Sequence, residues 1–200
     1  MRTRSQTGFE EAPVRLFTAV WPSREALDHL DEWLGELDRA RLDPATAGAT
    51  GFRLIPRERR HLTLAFHGDD SDPEWHSDRL DRRMARVVRK EPEVFAPRLR
   101  LRGCGFFSGV LWLGVEFAAE DDAGSLRRLV RLAGADPGKY RAHLTLARWS
   151  AGATDKPALR GLFETYAGPW WGADELSLIA SEVDGGTRTY RTVHRVSVPG

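Results

Sequence analysis

Histidine and threonine recur together in this chain at the spacing that puts both on one face of a β-strand. The pentapeptide His-Leu-Thr-Leu-Ala runs from His61 to Ala65 and again from His143 to Ala147. Residues two apart on a strand share a face, so His61 points with Thr63 and His143 with Thr145. Leu62, Leu64, Leu144 and Leu146 then face the other way, into a core. If the two strands lie side by side about a pseudo-twofold axis, two imidazoles and two hydroxyls converge on one cavity. Imidazole titrates near neutrality, so one ring is suited to accept a proton while its partner supplies one. The threonine hydroxyls can donate hydrogen bonds to an oxyanion. A single His-x-Thr is ordinarily a satisfied polar pair at a sheet surface. Two copies are harder to explain that way, and an array of structural repeats needs about three or more closely spaced units. Two lobes, each carrying one copy, fit better.

The elements that must hold these strands are legible from periodicity. Arg15 to Trp21 reads as a buried first strand, followed by a helix opened by Pro22-Ser23 and carrying Leu27, Leu30, Leu34 and Leu37 at helical spacing. Pro44 to Gly51 reads as a loop of small residues, and Phe52 to Ile55 as a short strand before the first motif. A second helix over Trp75 to Lys90 places Leu80, Met84, Val87 and Val88 on one side and a solvated arginine face on the other. Strands follow near Phe95 to Gly103 and Val110 to Phe117, with Gly103, Gly105 and Gly109 marking the turn between them. A third helix covers Asp122 to Ala133. After the second motif come a helix from Lys156 to Tyr166 and strands near Glu175 to Val183 and Thr189 to Val198. Helices mixed with antiparallel hairpins give an α+β fold, with sheets lining a groove and helices outside.

Several chemistries are disfavoured. Cys104 is the sole cysteine, so no intrachain disulfide can form and a zinc finger is excluded. There is no Gly-x-x-x-x-Gly-Lys-Ser/Thr loop to cradle a nucleotide. His29, His76 and His194 are read as structural or solvated, and no ligand spacing accompanies His61 and His143, so the expectation is metal-free acid-base catalysis with no cofactor. The tryptophans are read mainly as core, with room for one to line the groove. With 30 basic against 29 acidic residues the net charge is only +1, so any contact with a polyanion must be local. Arginine outnumbers lysine 27 to 3, which favours bidentate phosphate contacts, although codon bias explains that skew equally well.

On these motifs the chain resembles the 2H phosphoesterase superfamily, named for paired His-x-Thr motifs. Within it the chain is similar to the RNA 2′,3′-cyclic phosphodiesterases, also called 2′-5′ RNA ligases. The resemblance extends from RLFTAVWP at Arg15 to Pro22, through HLTLAF and VLWLGVEF at Val110 to Phe117, to HLTLAR ending at Arg148 and ELSLIASEV at Glu175 to Val183. His67, where an apolar residue is common, and Ala142, where proline often stands, depart from the pattern. The resemblance implies a two-lobed fold with pseudo-twofold symmetry, antiparallel sheets lining a central groove and one motif strand at the heart of each lobe. It implies hydrolysis of a terminal 2′,3′-cyclic phosphate to a 2′-phosphomonoester, with His143 as general base, His61 as general acid, and slow 2′-5′ ligation as the reverse reaction. Two alternatives stay open: another cyclic nucleotide-type substrate, or a nucleotide- or RNA-binding module without turnover.

The resemblance also places an arginine at Arg148 near the phosphate. Yet Arg148 is five residues beyond His143, an odd offset that turns it to the opposite face of an ideal strand, so a bulge or strand end must redirect it. Phe66 has the same offset from His61 and is read either as a base-stacking platform or as core. The partners expected are RNA ends or nucleotides bearing a 2′,3′-cyclic phosphate. Residues 1–13 are expected to form a disordered tail and residues 14–200 a single bilobal domain, monomeric, cytoplasmic and without a membrane segment.

Overall fold

Strands of alternating burial and helices with one apolar stripe sort into two sheets that share a core. The computed structural model describes residues 15–69, 71–90, 95–184 and 187–200, and the expected tail over residues 1–13 lies outside them. In chain order the elements are β1 (Arg15–Val20), α1 (Arg24–Gly35), α2 (Arg39–Thr46), β2 (Ala49–Thr50), β3 (Arg53–Leu54), a 3-10 turn at Arg57–Arg59, β4 (Leu62–Asp69) and α3 (Pro73–Lys90). Then come β5 (Arg98–Phe107), β6 (Val110–Phe117), α4 (Glu120–Ala133), β7 (His143–Arg148), β8 (Ala151–Gly152), α5 (Lys156–Phe163), β9 (Trp171–Gly172), β10 (Glu175–Asp184) and β11 (Thr187–Ser197). One sheet has the order β11-β10-β1-β4 and the other β3-β7-β6-β5-β9, with β2 and β8 as a separate pair. The pairings are antiparallel. The first motif strand, β4, is the outermost of its sheet, and β7 stands one strand in from the edge of the other, so neither is central to its lobe. That places both next to the groove between the sheets.

Helix starts follow local chemistry. Ser23 Oγ accepts from Ala26 N at 3.1 Å, Asp72 Oδ1 from Glu74 N at 2.9 Å just ahead of Pro73, and Asp155 Oδ1 from Ala158 N at 3.0 Å. Buried Asp122 accepts from the backbone N–H groups of Ala119 and Arg98, each at 2.8 Å, tying the start of α4 to β5. Leu30, Leu34, Leu80, Leu126, Leu129 and Leu162 from four helices join Leu62, Leu64, Leu144 and Leu146 in one apolar cluster. The leucines of both motifs therefore face the core, as the two-residue spacing predicts.

Three local expectations are corrected. Pro44 lies inside α2 rather than in a loop: Asp38 caps the helix and Leu42 and Ala45 are buried, which outweighs the one hydrogen bond that proline forfeits. Val88 is 42% exposed, leaving Leu80 and Met84 as the buried stripe of α3. Gly103 and Gly105 lie within β5, and only Gly109, at φ 65°, belongs to the hairpin turn. Gly105 is opposite Trp112, whose ring would stand 2.1 Å from a Cβ at that position. Gly103 takes φ 63° at a register shift in the ladder.

Candidate active site

The two copies of the pentapeptide share a backbone irregularity as well as a sequence. Along β7, His143, Thr145 and Arg148 lie opposite Gly114, Trp112 and Val110, while Leu111 pairs with Ala147 and Leu146 is left over as a bulge. Because Gly114, Trp112 and Val110 are spaced by two, their partners share a face, and Arg148 is returned to the side of the histidine. Along β4, Ala19 is opposite Thr63 and Phe17 opposite Phe66, with Leu64 left over at the equivalent place. Phe66 is returned to the polar face in the same manner. Both bulges leave two consecutive residues buried, Leu64 with Ala65 and Leu146 with Ala147.

These faces enclose a cavity of about 360 Å³ lined by His61, Thr63, Phe66, His143, Thr145 and Arg148, all six residues singled out from the sequence. Phe66 is 79% exposed at its mouth, which removes the core-packing alternative. Sequence reasoning missed the rest of the wall: Arg15, Phe17, Arg53, Ile55, Arg59, Ser181, Arg188 and Tyr190. Among the described residues, five arginines and no carboxylate line this space; Arg15 is paired with Asp69 at 2.7 Å, and the remaining four make the cavity attractive to anions although the chain as a whole is nearly neutral.

The two histidines sit in different surroundings. The His143 Nδ1–H donates to the Arg141 carbonyl at 2.8 Å, so in the neutral ring it is Nε2 that carries the lone pair. Phe107 meets this ring edge-on at 5.2 Å and Trp112 at 6.1 Å. His61 is packed by Phe17 at 4.9 Å, Trp21 at 5.2 Å and Tyr190 at 5.4 Å. Its Nε2 lies 3.1 Å from Thr63 Oγ1. Its Nδ1 is buried toward the Arg59 backbone without a well-formed hydrogen bond. Burial lowers the His61 pKa to about 4; the Arg59 backbone partly offsets this, while the charges of Arg59, His143 and Arg148 add to the lowering. In the free protein His61 is thus neutral at pH 7.

The family model of the 2′-5′ RNA ligase superfamily matches residues 26–185. The chain belongs to this superfamily. Among solved structures, Escherichia coli LigT complexed with ATP is similar at a TM-score of 0.62 and 21% identity, over 94% of this chain and 99% of that one. A protein of Thermus thermophilus is similar at a TM-score of 0.58 and 26% identity, over 93% of this chain and 98% of that one. A structure described as a phosphoesterase is similar at 0.60 and 21%, over 94% and 100%. No curated protein matches in sequence. The fold is therefore that of the 2H phosphoesterases, a superfamily whose chemistry is on phosphodiester bonds.

In this 2′-5′ RNA ligase superfamily member, the approach to the first motif is held by ion pairs on α1. Arg57 reaches Asp28 and Asp31, each at 2.6 Å, and buried Arg60 pairs with Asp31 and donates from Nε to the Ile55 carbonyl at 2.9 Å. Burial raises the Asp31 pKa, but the hydrogen bonds from Arg57 and Arg60 outweigh it, and the net shift is downward. Between these anchored residues Arg59 turns to the cavity, its guanidinium 5.3 Å from the centre of the Tyr190 ring.

The remaining histidines have other partners: His29 with Tyr166 at 3.3 Å, His194 with Asp81 at 2.9 Å, and His67 with Thr18 Oγ1 at 2.8 Å while its ring packs against His76 at 4.2 Å. Among the described residues no three His, Cys, Asp or Glu side chains are grouped as metal ligands. No helix among them is long and apolar enough to cross a membrane.

Proposed function

We propose that this protein hydrolyses 2′,3′-cyclic phosphate ends of RNA, or of the corresponding nucleotides, to 2′-phosphomonoesters. The observation that carries the reading is the convergence of two His-x-Thr faces on one arginine-lined cavity. Opening a cyclic phosphodiester needs a base for the attacking water, an acid for the departing ribose oxygen and donors for the nonbridging oxygens. With Nδ1 committed to the Arg141 carbonyl, His143 presents Nε2 as the base. His61 protonates the 3′ oxygen as its bond to phosphorus breaks. Thr63 and Thr145 donate to the phosphate oxygens, and Arg148 adds charge-assisted hydrogen bonds. Phe66, at the mouth, offers a stacking surface for the base.

His61 must acquire a proton for this role. A phosphate anion about 4 Å away, at an effective dielectric of about 20, favours the imidazolium by about 4 kcal/mol, roughly three pH units. From its low value in the free protein the His61 pKa rises when an anionic substrate binds beside it, which favours the proton it must deliver. The acid is thus armed by the group it serves.

The reading is tested by turnover of 2′,3′-cyclic nucleotides in EDTA. Hydrolysis that survives chelation supports it; activity lost with EDTA and restored by one divalent metal contradicts the metal-free acid-base scheme.

A further inference from the structure

Periodicity makes Arg53 no more than part of a short strand. In the structure β3 pairs with β7 so that Arg53 lies directly opposite Arg148, and both line the cavity. Like charges placed directly opposite on neighbouring strands destabilise a sheet. The usual remedy is an intervening carboxylate, and among the described residues the cavity wall holds none. The Arg53 guanidinium makes instead a long hydrogen bond, 3.4 Å, to the Gly51 carbonyl. Other exposed arginines of this protein do have acidic partners, Arg15 with Asp69, Arg191 with Glu182 and Arg195 with Glu175. Among the described residues, no carboxylate lines the cavity beside Arg53 and Arg148.

The pair is also built to stay together. Ile55 N donates to the Leu146 carbonyl at 2.8 Å and Ser150 N to the Thr50 carbonyl at 2.9 Å, tying the segment that carries Arg53 to the one that carries Arg148 on either side of the pair. The Leu146 bulge that turns Arg148 to the cavity therefore also fixes Arg53 beside it.

We infer that Arg53 and Arg148 form a two-guanidinium clamp for a phosphate of the substrate, which makes Arg53 a substrate-binding residue. A phosphate between the two offers an acceptor to each and replaces their repulsion with two charge-assisted contacts. This rests on the proposed phosphoesterase reading for its substrate, but its phosphate chemistry stands apart from turnover.

The test compares Arg53→Ala and Arg53→Lys with the unaltered protein in two measurements. In the first, thermal unfolding is followed with and without inorganic phosphate. Without phosphate, Arg53→Ala unfolds at the same temperature or higher, because a repulsion has been removed; with phosphate, its stabilisation is smaller. In the second, kinetics are measured on a 2′,3′-cyclic mononucleotide and on a short RNA with the same end. KM rises about ten- to a hundredfold in Arg53→Ala, with a much smaller fall in kcat, and Arg53→Lys restores part of the loss. A KM rise on both substrates assigns the clamp to the reacting phosphate, and a rise on RNA alone assigns it to the neighbouring phosphodiester. Unchanged phosphate stabilisation together with unchanged KM overturns the clamp, as does a plain loss of stability without phosphate, which marks Arg53 as structural. Should no cyclic phosphate be turned over at all, the phosphate-dependent unfolding still decides the role of Arg53 by itself.

Discussion

His61 and His143 occupy equivalent places in two copies of one pentapeptide, yet one is enclosed by Phe17, Trp21 and Tyr190 and the other is tied through Nδ1 to a carbonyl. In the proposed reaction this asymmetry accompanies the two different roles, which the repeat alone leaves interchangeable. Replacing either histidine by alanine is expected to lower turnover by at least about a hundredfold while the far-ultraviolet circular dichroism is unchanged. Near-normal rates would remove that residue from the chemistry. For His61, a proton NMR titration of the ring should give a pKa of about 4 in the free protein and a value higher by roughly two to three units with phosphate bound. A titration indifferent to phosphate would mean that the anion does not sit beside this ring. The repeat made four of the cavity's side chains legible, His61, Thr63, His143 and Thr145, while Arg148 came from the family resemblance and Phe66 from its matching offset. Arg53 and Arg59 were not legible, since nothing in an arginine-rich sequence marks which guanidinium faces a cavity.

At the level of elements, the strand bulges decide which side chains the site receives. A strict two-residue alternation sends Arg148 and Phe66 to the core side, and only the extra residue at Leu146 and Leu64 brings them back. The signal was present in the sequence as two adjacent apolar residues, Leu-Ala, at the same place in each copy, where alternation calls for one. The helix α2 was hidden by Pro44, whose cost is local and is outweighed by capping at Asp38 and burial of Leu42 and Ala45. The 3-10 turn leading to the first motif is tied to α1 through Asp31. Asp31→Ala leaves buried Arg60 without its carboxylate, and should cost about 2–3 kcal/mol in chemical denaturation. It should also slow turnover by loosening the approach to His61. A variant with both stability and rate intact would show that the Asp31 pairs do not position the motif.

On the scale of the whole molecule, burial of imidazoles makes stability depend on pH. His61 and His67 both have pKa values lowered to about 4, mainly by burial, from an ordinary 6.5. Each therefore takes up a proton more readily when unfolded, so stability is whole above about pH 6.5 and is lost as the pH falls toward 4. For His61 the loss is of the order of 3 kcal/mol across that window. Asp31, lowered by its arginine partners, adds a further loss at still lower pH. Unfolding by urea at pH 7 and pH 4.5 should show this fall, and His61→Ala should flatten it; equal stability at both values would contradict the burial of these rings. The two-lobed fold was legible because each lobe repeats its motif. Which strands join each sheet was less so: β10 and β11 complete the sheet of β1 and β4 from the far end of the chain, and such long-range pairing leaves no local mark. The most direct test of the two-histidine site is a single-turnover assay of an end-labelled RNA carrying a 2′,3′-cyclic phosphate, with the products resolved as 2′- and 3′-phosphates, in the unaltered protein and in the two histidine variants. The account predicts a 2′-phosphate alone, lost in both variants. A 3′-phosphate product, or no hydrolysis by a protein that still binds the RNA, would contradict it.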